Sequence, residues 1–131
     1  MAAAGRFLVP GRRRSTILAK RAATTARILR LWDDVDVLMT PGLATTAIAA
    51  EGGYGHAGLI AFNRAAAFTP YTPIFNLTGQ PGLSLPAGLG SDGLPLSVQL
   101  IGRPGAEETL YSLGAQLEEA DPWAERRPGV S

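Results

Sequence analysis

An α/β fold, built as a partial mixed β-sheet flanked by helices, is what this chain predicts, and three observations carry the prediction. Apolar residues recur at helical spacing towards both ends, over 13–32 and 106–120. Short apolar runs at 35–39 and within 85–102 have the length of strands. Glycine and proline, 16 and 10 of the 131 residues, cluster from Pro41 onward and cut the second half into short pieces joined by turns. At 46% hydrophobic and 18% charged the composition is that of a globular domain. A chain of this length can enclose one core. Nothing in it repeats, and no low-complexity linker divides it, so residues 1–131 read as a single unit with 1–12 as a disordered lead.

The first element, "RRSTILAKRAATTARILRLW" (13–32), places Leu18, Ala22, Thr25, Leu29 and Trp32 on one helical face. Ser15 has the chemistry of an N-cap, and Pro10 and Gly11 fence the start. In "DDVDVLMTP", Val35, Val37, Leu38 and Met39 form a nearly continuous apolar run closed by Pro41 and Gly42, which suits a strand covered on both faces in a parallel or mixed sheet. From Leu43 to Gly58 small residues and glycines predict a long loop. "LIAFNRAAAF" (59–68) predicts a short helix ended by Pro70 and Pro73. The segment 72–88, "TPIFNLTGQPGLSLPAG", reads as sheet that must bend at its prolines and glycines. Beyond it, "LPAGLGSDGLPLSVQLIG" reads as two strands joined around Gly90-Ser91-Asp92-Gly93, because Asp-Gly supplies the positive φ of a tight turn. Leu94, Leu96, Val98 and Leu100 alternate with Pro95, Ser97 and Gln99. In the last helix Ala106, Leu110, Leu113, Leu117 and Ala120 share a face, Glu107 and Glu108 sit in the first turn, and Asp121-Pro122 ends it.

Composition excludes several kinds of chemistry. There is no cysteine, hence no disulfide and no thiolate ligand, and the single histidine, His56, is too few for a histidine zinc site. No acidic loop motif suggests magnesium or calcium, so no metal and no cofactor is expected. No apolar run approaches the roughly 20 residues that span a bilayer. Eight of the twelve basic residues (Arg6, Arg12, Arg13, Arg14, Lys20, Arg21, Arg27 and Arg30) precede the first acidic one, Asp33. A transit peptide or a nucleic-acid patch would show this bias, but interleaving with a regular apolar stripe favours an exposed helix face.

Candidate reactive residues do not add up to a catalytic set. Ser84 in "GLSLP" has Pro86 where a G-x-S-x-G elbow needs glycine, and no base can be placed beside it. Lys20, the only lysine, lies next to Arg21 on a basic helix face. Glu107-Glu108 and Glu118-Glu119 are adjacent pairs that point some 100° apart on a helix. "GGYG" and "GLGSDG" lack the lysine and hydroxyl of a phosphate loop.

Residues 68–129, "FTPYTPIFNLTGQPGLSLPAGLGSDGLPLSVQLIGRPGAEETLYSLGAQLEEADPWAERRPG", resemble the C-terminal segment of the amidase signature family. The most specific part is the ordered set Phe75-Asn76, Gly79-x-Pro81, Leu85-Pro86-x-Gly88, Gly93-Leu94-Pro95, Gln99, Gly102-Arg103-Pro104, Trp123 and Arg127-Pro128. "LWDDVDVLMTPG" and the helix before it resemble the same family upstream. The resemblance implies the C-terminal portion of that fold, in which the strands complete a mixed sheet covered by helices. It implies the activity class as well: hydrolysis of carboxylic amides to acid plus ammonia or amine by a serine, a second serine in a cis peptide and a lysine. The Gly/Ser-rich signature that carries those groups is absent from this sequence, and Ser84, Lys20 and His56 do not match its positions. No catalytic residue is therefore assigned, and the chain alone is expected to be inactive. Carried over by position, Thr40, Pro41, Phe75, Asn76, Thr78 and Gly79 are expected to wall the substrate cavity. A small-molecule amide is the expected partner only when the missing region completes the fold. The alternative is a non-catalytic half that pairs with a separate triad-bearing chain, or self-associates, through exposed apolar faces. No membrane or nucleic-acid partner is expected, and the location implied is cytoplasmic.

Overall fold

The computed structural model describes residues 11–49, 58–124 and 126, and the chain divides into two compact units, Met1–Val35 and Asp36–Ser131. In the first, helix α1 (Gly11–Leu29) tightens into a 3-10 turn at Arg30–Asp33. Ser15 lies inside α1 and does not cap it, because Arg12, Arg13 and Arg14 are good helix formers that carry the helix upstream. Arg27 sits in the last turn, where cations suit the helix dipole. Trp32 is buried, while Leu18 and Leu29 of the same stripe stay exposed. The expectation of disorder for 1–12 falls, up to residue 10, outside the described residues. His56 lies outside them as well.

The second unit is organised by a three-stranded antiparallel sheet, β1 (Val37–Pro41), β2 (Gly82–Leu89) and β3 (Pro95–Gly102), in the order β1-β3-β2. Hairpin β2–β3 closes as the Asp-Gly pair predicts, with Gly93 at φ 76° and the Gly90 N–H donating to the Leu94 carbonyl at 2.8 Å. The Asp92 carboxylate fixes this turn from outside by accepting the Leu94 N–H at 3.1 Å and the Thr46 hydroxyl at 2.5 Å, which ties the segment after β1 to the hairpin. β1 differs from its prediction at both ends, since Val35 precedes the strand and Pro41 belongs to it. The Gly42 N–H bonds the Ser97 carbonyl, so by alternation the nitrogen of Pro41 faces away from β3 and the ladder loses no donor there. β1 is only half buried, with Met39 65% exposed, so it lacks the cover on both faces that its composition suggests.

Three helices accompany the sheet: α2 (Gly58–Phe68), α3 (Pro73–Thr78) and α4 (Glu107–Ala120). α3 corrects the reading of 72–88 as continuous sheet. Pro73 occupies the first turn, where its missing N–H costs nothing. Gly79 ends the helix in the left-handed region at φ 84°, donating its N–H to the Phe75 carbonyl at 2.7 Å. Strand begins only after Pro81. α4 lies on one face of the sheet and joins Leu110 to Leu85 and Leu100 in the core, with Val37, Leu83, Val98, Leu113 and Trp123 packed around them. Along its stripe Leu110 is buried, Leu113 is half-buried and Leu117 is exposed. The alternation along β3 holds from Val98 to Leu100 but fades at Leu96, which is exposed, while Ile101 is buried on the opposite face.

Leu100, 3% exposed at the centre of the core, sets the first expected outcome. Leu100→Ala should lower unfolding free energy by about 2–5 kcal/mol in urea titrations followed by circular dichroism. Ser91→Ala in the exposed turn should change it by less than about 0.5 kcal/mol. The Thr46 hydroxyl and then the Leu94 N–H hold the Asp92 carboxyl below its ordinary range. Their contribution is complete above the usual aspartate pKa and is lost as pH falls through the lowered one. Carboxyl-detected NMR titration should show Asp92 moving back up in Thr46→Ala.

Candidate functional site

The sheet face opposite α4 carries the polar chemistry. Register places Thr40 opposite Gln99 and Gln99 opposite Ser84, so one polar row crosses all three strands. The adjoining row is Leu38, Ile101 and Gly82. Thr72, Phe75, Asn76 and Gln80, from α3 and its flanks, meet Ser84 and Gln99 around an open cavity of about 200 Å³. Five of those side chains (Thr72, Asn76, Gln80, Ser84 and Gln99) are neutral hydrogen-bonding groups, and none is titratable near neutral pH. Such a wall can orient a carbonyl, an amide or a hydroxyl, but it supplies no general base and no charge. Ser84, a strand residue facing this cavity, has no histidine, lysine or carboxylate among the residues that line it.

Gln80 is 8% exposed and fixes the corner between α3 and β2. The Thr78 hydroxyl donates its only proton to the Ile74 carbonyl at 2.8 Å and also touches the Gln80 carboxamide. That second contact is to the Gln80 side-chain oxygen, so the one hydroxyl proton is shared between two acceptors at the end of the helix. The other end of this buried carboxamide, the Gln80 Nε2 donor, has no hydrogen-bond partner among the described residues.

The expected wall residues divide three ways. Phe75 and Asn76 line the cavity under α3. Thr40 and Pro41 line a larger, mainly apolar hollow of about 440 Å³ beside Leu43, Ala87 and Leu96, and the Thr40 hydroxyl donates to the carbonyl of Pro41 at 3.1 Å. Thr78 and Gly79 line neither and serve the C-terminus of α3. Gln80 and Gln99 were missed as site residues. The alternation of β3 marks Gln99 as a residue of the polar face, whereas nothing local marks Gln80. A third hollow, about 640 Å³, lies between the hairpin and Trp123 and Arg126, where Arg126 pairs with Asp121. Lys20 is exposed on α1 in the first unit. Among the described residues no three potential ligands cluster to hold a metal, and no helix is long and apolar enough to cross a membrane.

Comparison with known proteins finds similar segments within longer proteins. The AmiB2 amidase-family protein of Mycobacterium tuberculosis is 45% identical over 121 residues, which are 92% of this chain and 26% of that protein. The solved structure of 6-aminohexanoate cyclic dimer hydrolase with its substrate matches with a TM-score of 0.72 at 30% identity, over 93% of this chain and 27% of the enzyme. A bacterial aryl acylamidase of the amidase signature family matches with a TM-score of 0.67 at 25% identity, over 92% and 25%. The chain thus spans about a quarter of the length of these relatives. The Amidase family model matches residues 11–111, and on that match, together with the shared fold, the chain belongs to the amidase family.

Proposed function

We propose that this chain forms the C-terminal, substrate-facing part of an amidase that hydrolyses a carboxylic amide to the acid and ammonia or an amine. The observation that carries the proposal is the agreement, over 93% of the chain, with an amide hydrolase of which it spans only 27%. The nucleophilic serine and its activating lysine belong to polypeptide outside this sequence. There the serine oxygen attacks the amide carbon and the C–N bond breaks. The amine leaves with a proton, and water then cleaves the acyl ester. This chain would contribute binding alone: Phe75 as an apolar wall, and Asn76, Ser84 and Gln99 as neutral partners for the substrate's polar atoms. A cytoplasmic setting belongs to the same proposal.

Replacing the matched quarter of AmiB2 with this chain should give a chimera that hydrolyses simple aryl or aliphatic amides. Within it, Asn76→Ala should lower kcat/KM about tenfold, the cost of one hydrogen bond to a neutral group. An inactive but folded chimera would count against the proposal. The 131-residue chain alone should show no turnover of the same amides, and turnover abolished by Ser84→Ala would refute the assignment of catalysis to other polypeptide.

A further inference from the structure

Helix α2 poses a physical problem that the chain does not solve. It has 11 residues, Gly58–Phe68, and none of them is buried. Leu59, Phe62 and Ala66 form one stripe, and Leu59 and Phe62 are 73% and 69% exposed. Ile60, beside the stripe, is about half exposed. Isolated helices shorter than about 12–15 residues are marginal in water, and most owe their stability to tertiary packing of an apolar face. Among the described residues, backbone anchors lie at the C-terminal end, where the Ala44 N–H reaches the Phe68 carbonyl at 3.1 Å and the Thr69 N–H and hydroxyl both reach the Ala65 carbonyl at 2.9 Å. Among the described residues no backbone hydrogen bond outside the helix anchors the Leu59 end.

We infer that the Leu59–Phe62–Ala66 stripe is a docking surface for the remaining portion of the amidase fold, the polypeptide that bears the reactive serine and lysine. This inference rests on the function proposed above and names the contact by which the two portions meet. Two observations choose the occupant. The relatives carry about three quarters of their length outside the shared segment, so a large partner surface exists in the fold. The present chain also shares the fold of that segment in the larger enzyme, with a TM-score of 0.72, so apolar faces left open on it are available to the remainder. A purely apolar stripe calls for a complementary apolar surface, with affinity concentrated in the two large side chains.

The test co-expresses the 131-residue chain with the part of AmiB2 outside the matched segment and reads co-purification and amide hydrolysis separately. Co-purification that falls about tenfold or more in Leu59→Asp/Phe62→Asp and in the milder Leu59→Gln/Phe62→Gln, but not in Ala67→Gln on another face, supports the docking surface. Co-purification indifferent to both pairs overturns it. So does a homodimer of the chain, seen by light scattering, that the same pairs dissolve, since a second copy would then be the occupant. As a check that needs no assembly in trans, both pairs should lower the melting temperature of the single-chain chimera, and an unchanged value overturns the inference. A complex that forms through the stripe but cleaves no amide upholds the docking surface and defeats the amidase proposal.

Discussion

Contact between Leu100 on the central strand, Leu85 on its neighbour and Leu110 on α4 is the constraint from which the second unit takes its form. Leu110 stands one turn into α4, so clamping it to the sheet fixes where the helix starts, and the short link from Gly102 to Ala106 has little freedom left. The strand register follows from the same contact. Leu100 and Leu85 must share the face that α4 covers, which sends Gln99 and Ser84 to the other face. The polar row of the candidate site is therefore a consequence of the apolar packing behind it.

That core is small for the surface it has to hold. Outside the three leucines and their neighbours, large apolar side chains such as Met39, Leu59, Phe62, Leu89 and Tyr111 lie open. Soluble monomers rarely tolerate such an apolar load without a use for it. The site shows the same imbalance, with five neutral hydrogen-bonding side chains and no acid, base or nucleophile pair among the residues that line it. Packing and chemistry are thus incomplete in the same sense, and both fit a segment that spans a quarter of a larger hydrolase fold.

Elements that were legible in the sequence are those whose signals are local or periodic. α1 and α4 repeat their apolar residues over several turns, and the hairpin announces itself through Asp92-Gly93. α3 escaped because six residues are too few for a period, and Ile74, Phe75 and Thr78 have strand-like side chains. Only Pro73 and Gly79 betray its ends. Phe75 and Asn76 were reached through the family resemblance, since no residue near them has distinctive chemistry. Gln80 and the pairing of Ser84 with Gln99 depend on which strand lies beside which, a long-range fact that one stretch of sequence does not contain. Thr78 looked like a wall residue, but its hydroxyl is committed to the helix that carries it.

The two prolines of the outer strands limit how this sheet can grow. The Gly102 N–H bonds the Pro81 carbonyl, and the Gly42 N–H bonds the Ser97 carbonyl. Alternation along each ladder then turns Pro41 and Pro86 outward at the same level, opposite Val98 and Ser97. Neither has a hydrogen to offer an incoming strand. Val37 and Met39 on one rim, and Gly82 and Ser84 on the other, keep their outward donors. Lateral annealing of further strands is thereby confined to the margin near Gly102, and the hairpin tip is barred from being zipped into ribbons by stray β-chains.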